Sequence, residues 1–366
     1  MEEDYWANSQ KSMEGEKKMK KRYVLFSALI MAFFLISVMG PGTAMAQKKP
    51  MVLRLVVPAP EGDWPLTFKD KEMAKRFNER AKGEYVIEVH AGGALAKLPE
   101  YFDAVRIGAV EIADAPWGMY SFLDPRLGVI ELPFLFASTG SVTASCKPLL
   151  PIYDQLFQEK FNAKGLGMVN TGGMQLFSTR PVKTLEDWKG LLVGAISPPT
   201  AEMIKMLGGS PVTIMWTDMY EGLQKKVIDA TTQGTHGGLV MGMTDVCKHL
   251  TVFMGIAAWN GYTINLDVWK KMPPNIQKIL QEEVDKTVDW FNITVMTKLG
   301  DDDMKAFKEK GVTVYTVPKA ERDRWEKLFT SYNEKKIADF GDFGQKVKKI
   351  AEEANKKHPY TERGMY

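Results

Sequence analysis

The 366-residue chain predicts an α/β fold of two domains with a cleft between them and one long helix spanning both. Three observations carry this. Short apolar runs of strand length alternate with amphipathic segments of helix length, the pattern of a mostly parallel sheet with helices on both faces. The alternation restarts near Gly172. Finally, a helical pattern runs unbroken from Pro273 to about Lys308, longer than a single layer requires. The composition agrees: 45% hydrophobic and 25% charged residues are ordinary for a soluble globular chain, and the length suits two domains.

The first 46 residues stand apart. Lys17, Lys18, Lys20, Lys21 and Arg22 precede the apolar run Tyr23–Met39, and Ala44-Met45-Ala46 is a small-x-small cleavage site. This order is that of a secretory signal peptide, to be removed after Ala46. Met13 or Met19 is then the expected true start, because the acidic residues before the basic cluster do not belong to such a leader. Export to the periplasm permits disulfides, and Cys146 and Cys247 are the only candidates, either paired or as two buried thiols.

Along the mature chain, VLRLVV (52–57) is a strand, residues 65–82 a helix and YVIEV (85–89) a strand. Helix 98–108 follows and leads to the strand EIADAP. After Gly172, LLVGA (191–195) is a strand, PPTAEMIKML (198–207) a helix and PVTIM (211–215) a strand. Helix 217–226 opens with Thr217 as N-cap, and strand VIDA follows. NGYTINL (260–266) reads as a strand returning to the first unit, ahead of the long helix. Helices 318–337 and 342–357 close the chain. The expected domains are residues 47–171 with 260–299, and 172–259 with 300–366.

Little in the chain speaks for catalysis. The four histidines fall in no HExxH, and there is no CxxC, GxSxG or phosphate-binding loop. His236-Gly237-Gly238 is a weak match to an oxyanion loop without its nucleophile. Asp301-Asp302-Asp303 lacks the ligand spacing of a calcium loop and reads as a solvated helix face. The net charge of +3 gives no concentrated basic face for nucleic acid. No cofactor and no metal are expected. Aromatic residues, however, recur at strand-to-helix junctions: Trp64, Trp117, Tyr120, Trp216 and Trp259. Such junctions are where α/β sheets place ligands.

Several segments in order resemble one family. GGALAKLPEYFDAVRIGAVEIADA, ELPFLF, TLEDWKGLLVG, LGGSPVTIMWTDMYEGLQKKVIDA and YTINLDVWKKMPPNIQKIL are similar to the extracytoplasmic solute-binding proteins of tripartite ATP-independent periplasmic (TRAP) transporters, the DctP-like family. The resemblance covers nearly all of the mature chain. It implies a two-domain periplasmic solute-binding fold that closes like a hinge on a small organic ligand. It also implies a monomer that hands the ligand to a membrane permease and catalyses nothing.

The resemblance also implies where the ligand should sit, and there the chain departs from the family. The usual arginine that pairs with a ligand carboxylate falls at Gly194, and a second common arginine falls at Met174. A frequent asparagine falls near Gln233, while the aromatic before the following helix is kept as Trp216. The expected site is therefore Trp64, Trp117, Tyr120, Trp216 and Trp259, with Met174, Gly194, Gln233 and His236. Three readings follow: a neutral or aromatic ligand; a replacement base among Arg54, Arg106, Arg126 and Arg180; or a cation bridging a carboxylate. The first is preferred, since losing the arginine also removes a buried charge that a neutral ligand would leave unpaired. The competing function classes are a sensory ligand-presenting protein and an exported hydrolase.

Overall fold

A computed structural model describes residues 49–61 and 65–361; the expected leader and Trp64 lie outside the described residues. The strands are β1 (Met51–Val57), β2 (Tyr85–Ala91), β3 (Ile112–Ala115), β4 (Ala163–Ser178), β5 (Leu192–Ala195), β6 (Ser210–Thr213), β7 (Ala230–Gln233), β8 (His249–Asn265) and β9 (Thr313–Thr316). They form one sheet of order β2-β1-β3-β8-β4-β7-β5-β6, with β9 alongside β8. The parallel trio β2-β1-β3 and the parallel trio β7-β5-β6 flank a central antiparallel pair, β4 and β8. Those two strands have 16 and 17 residues, about 50 Å of extended chain, so both run through both halves of the sheet.

The sequence reading found only the end of β8 and no strand over β4, where it placed the restart near Gly172. Their glycines look like breaks, but in the structure β4 shifts register at Gly165/Gly167 and Asn170/Gly172, and once more at Met174/Leu176. Gly172 has φ +98°, a conformation that strongly favours glycine. Such bulges bend a long strand without ending it. A further helix, α2 (Thr139–Lys160), was also not anticipated, because Pro148 and Pro151 lie inside it. It starts where Ser138 accepts from Ser141 N at 3.1 Å. Thr217 is not an N-cap: Asp218 holds that place, and the Thr217 hydroxyl bonds its carboxylate at 3.1 Å. VIDA is not itself the strand; β7 begins at its last residue, Ala230.

Helix α1 (Pro65–Arg80) lies over the first trio, and α3 (Pro198–Met206) follows β5. The long helical segment runs as α4 (Pro274–Trp290), a π-turn at Phe291–Val295, and α5 (Met296–Glu309). Its first part is tied to α1 by Arg76–Glu283 at 2.8 Å and Arg80–Glu283 at 2.5 Å. Burial alone would raise the Glu283 carboxyl, but hydrogen bonds from Arg76, Lys286 and Arg80 hold it down at about 2. Its last part serves the second trio, where Phe307 packs edge-on against Phe177 of β4. The π-turn, a feature often found at functional sites, lets Asn292 reach the centre of β4. There it accepts from Asn170 N at 2.8 Å and donates to Met168 O at 3.2 Å. No described helix is long and apolar enough to cross a membrane.

Candidate ligand cavity

The carboxyl ends of the parallel strands converge on a cavity of about 190 Å³, partly open to solvent. Ala59 after β1, Pro116 after β3, Ser197 after β5, Trp216 after β6 and Gln233 at the end of β7 all reach it. Crevices at the carboxyl ends of α/β strands are the usual place for ligands, because neighbouring connections diverge there. β4 contributes Thr171 and Met174, and β8 contributes Trp259 and Asn260. The long helical segment closes one side with Phe291, Met296 and Leu299.

Five of the residues expected from the sequence line this cavity: Met174, Trp216, Gln233, His236 and Trp259. Gln233 Nε2 lies 3.3 Å from Met219 Sδ. His236 Nδ1 lies 2.8 Å from Asp303 Oδ1 of α5, which fixes the ring against the long helix. Trp259 stacks edge-on to Phe136, with centroids 5.2 Å apart.

Three others are not in the wall. Trp117 is fully buried, packs against Phe157 and donates its indole N–H to Gly261 O at 3.1 Å. Tyr120 packs on Phe102 and donates its hydroxyl to Leu98 O. Both rings fill the core between the first trio and α2. A strand-to-helix junction places a residue near the cleft without deciding which way the ring turns. Gly194, in the middle of β5, is also buried behind the wall. A Cβ there would meet Ile214 Cγ2 and Ile228 Cδ1, each at 3.1 Å, with Met219 Cε at 3.5 Å. The space a side chain would need is thus held by three apolar groups.

None of the candidate replacement arginines reaches the cavity. Arg54 forms a two-point pair with Glu111, at 2.8 and 2.7 Å. Arg126 pairs with Asp124, Arg106 with Asp103, and Arg180 donates to Lys189 O. Among the described residues no lysine or arginine lines the cavity, and no three His, Cys, Asp or Glu side chains are grouped as a metal site. Cys146 and Cys247 are separate buried thiols.

Sequence reasoning missed Glu131, Ser197 and Asn260. Glu131 opens the ELPFLF segment, and a carboxylate set directly against an apolar run was the available signal. Burial pushes its carboxyl up to about 7, against the pull of its Ser197 hydrogen bond.

The family described as bacterial extracellular solute-binding protein, family 7 (DctP), matches residues 60–339. The chain belongs to this family. Among curated relatives, the C4-dicarboxylate-binding protein DctB of Bacillus subtilis is 25% identical over 263 residues, 70% of this chain and 74% of its own length. Among solved structures, DctP7 of Bordetella pertussis, an extracytoplasmic solute receptor binding pyroglutamic acid, superposes with a TM-score of 0.76. It has 18% identity and covers 82% of this chain and 99% of its own. A TRAP periplasmic solute-binding protein from Pseudomonas putida F1 with bound D-glucuronate gives a TM-score of 0.73 at 20% identity, covering 81% and 96%. Membership makes this chain a TRAP-type solute-binding protein, and its α/β fold is that of these solute-receptor structures.

Proposed function

We propose that the mature protein works in the periplasm as a monomer and captures a ligand that is not a simple C4-dicarboxylate, an aromatic or otherwise weakly polar molecule. It delivers that ligand to the membrane subunits of a TRAP-type permease. The observation that carries this reading is the absence of any lysine or arginine among the described residues of the cavity wall. A dicarboxylate would bring two charges into an apolar pocket with no guanidinium to receive them. A lost buried ion pair costs roughly 2–5 kcal/mol in binding. Met174, Trp216, Phe291 and Met296 offer apolar area instead, worth about 25 cal/mol per Å².

In this reading the two trios are the cores of two lobes, residues 47–171 with 260–299 and 172–259 with 300–366. Closure bends β4 and β8 where their register shifts. His236, the histidine of the wall, is held by Asp303, as suits a binding role.

The test is a thermal-shift screen of chelator-treated mature protein against C4-dicarboxylates and neutral aromatics, since a ligand of the folded state raises its melting temperature. The neutral aromatics should raise it, and Trp216→Ala should weaken the effect. Tight binding of succinate or malate overturns the reading.

A further inference from the structure

Buried acids in this protein are matched with basic side chains, with one exception. Asp70 and Asp114 share Lys69, Glu111 pairs with Arg54, Glu283 with Arg76 and Arg80, and Asp303 with His236. Glu131, 7% exposed at the end of the turn Pro125–Glu131, has no basic partner among the described residues. It is also the only acid among the described residues that line the cavity.

The carboxyl is held at the wall from two sides. Ser197, itself a wall residue, donates its hydroxyl to Oε2 at 3.2 Å. Gly118 lies between the wall residues Pro116 and Met119, and a Cβ there would collide with Oε1. Ser197 is in addition the N-cap of α3, where Thr200 N donates to its Oγ at 3.4 Å. The carboxyl therefore sits near the positive end of that helix. A hydroxyl and a helix end favour the ionised form, but neither brings a full counter-charge.

An anion would meet Glu131 as a like charge. A hydrocarbon would leave the carboxylate unbalanced, and a neutral donor would give it a hydrogen bond without a counter-charge. An ammonium gives both. A buried charge without its partner is costly, and here folding has already taken the carboxylate out of bulk water, so a cation entering the cavity completes a pair of which the protein holds one half. The rings and thioethers of Trp216, Phe291, Met174 and Met296 suit an apolar body that carries such a charge.

We infer that Glu131 sets the specificity of the cavity and selects an organic cation, an aromatic body bearing one ammonium group whose N–H donors meet the Glu131 carboxylate. This rests on the apolar cavity described above and deepens that reading: the one polar end of the ligand is positive.

A charge series on one ring tests it: benzylamine, benzyl alcohol, toluene and benzoate, titrated calorimetrically into the wild-type mature protein at about pH 8, where a primary amine is still protonated. Benzylamine should bind most tightly, with each of the others weaker by about tenfold or more, the worth of one charge-assisted hydrogen bond. In Glu131→Gln, which keeps the shape without the charge, the advantage of benzylamine over benzyl alcohol should shrink to within a few-fold. The wild-type series needs no variant, so a misfolded substitution does not blunt the test. Equal binding of toluene, benzyl alcohol and benzylamine overturns this inference and leaves the low-polarity reading standing. Preference for benzoate, or no binding of benzylamine, also overturns it, as does an undiminished benzylamine advantage in Glu131→Gln.

Discussion

Two buried polar clusters lie in this protein and are finished differently. Beneath the first trio, Lys69 donates to Asp70 Oδ1, Asp114 Oδ2 and the Tyr262 hydroxyl, each at 2.7 Å. The Tyr262 hydroxyl donates on to Asp70. All four side chains are fully buried, and every donor of the ammonium is used inside the protein. In the cavity wall, by contrast, Glu131 has one neutral partner, Ser197, and no lysine or arginine beside it among the described residues that line the cavity. The first cluster pairs its ammonium within the protein and acts in folding, although Asp70 Oδ2 and Asp114 Oδ1 have no hydrogen-bond partner. The second has its carboxyl at the cavity wall.

The largest expected effect breaks the first cluster. Lys69→Ala leaves Asp70 and Asp114 without their cation and should destabilise the protein by roughly 3–5 kcal/mol, read as a lower midpoint in urea. A neutral result would mean that the cluster is not the anchor described here.

The second cluster should show itself in the pH dependence of stability. Glu131 titrates at about 7 in the folded protein, pushed up by burial, against an ordinary value of 4.5. The folded state therefore binds more protons than the unfolded state between those values. Stability should fall as pH rises through that window and level off above 7, by on the order of 3 kcal/mol for this group. Asp70 is also raised by burial to about 7, with Lys69 pulling the other way, so part of the slope remains after Glu131→Gln. Denaturant titrations of both proteins at several pH values should show the variant with the shallower slope. Identical slopes would place Glu131 in contact with water. Glu283, held near 2, works in the opposite sense, and its contribution is lost only in acid.

A smaller effect sharpens the contrast with relatives that bind acids. Gly194→Arg drives a long side chain into the space of Ile214, Ile228 and Met219. Overpacking of this kind should cost about 1–3 kcal/mol, seen as a lower melting temperature with no gain in succinate binding. A gain in binding would show that this position still opens to the cavity.

Much of the fold was legible because it rests on local patterns. Strand and helix periodicity located both trios, and the unbroken apolar stripe after Pro273 located the long helix, although not its π-turn. The crossing strands were half hidden because Gly165, Gly172 and Gly255 look like ends of strands when they are bends within them. The cavity was legible where a residue's place on the chain also fixes its direction, as for Trp216, Gln233 and His236 after short strands. It was misread at Trp117 and Tyr120, whose rings turn into the core toward Phe157 and Phe102. Glu131 was passed over, its carboxylate at the head of ELPFLF being the one signal. Its role depends on Ser197 and Gly118, neither of which is near it in a recognisable motif.

The central claim is that this cavity has no place for a bare carboxylate pair. The most direct measurement is a calorimetric titration of chelator-treated mature protein with succinate at low ionic strength, where charge attraction is least screened. The account predicts no saturable heat up to millimolar succinate. Stoichiometric, saturable binding in the micromolar range would contradict it.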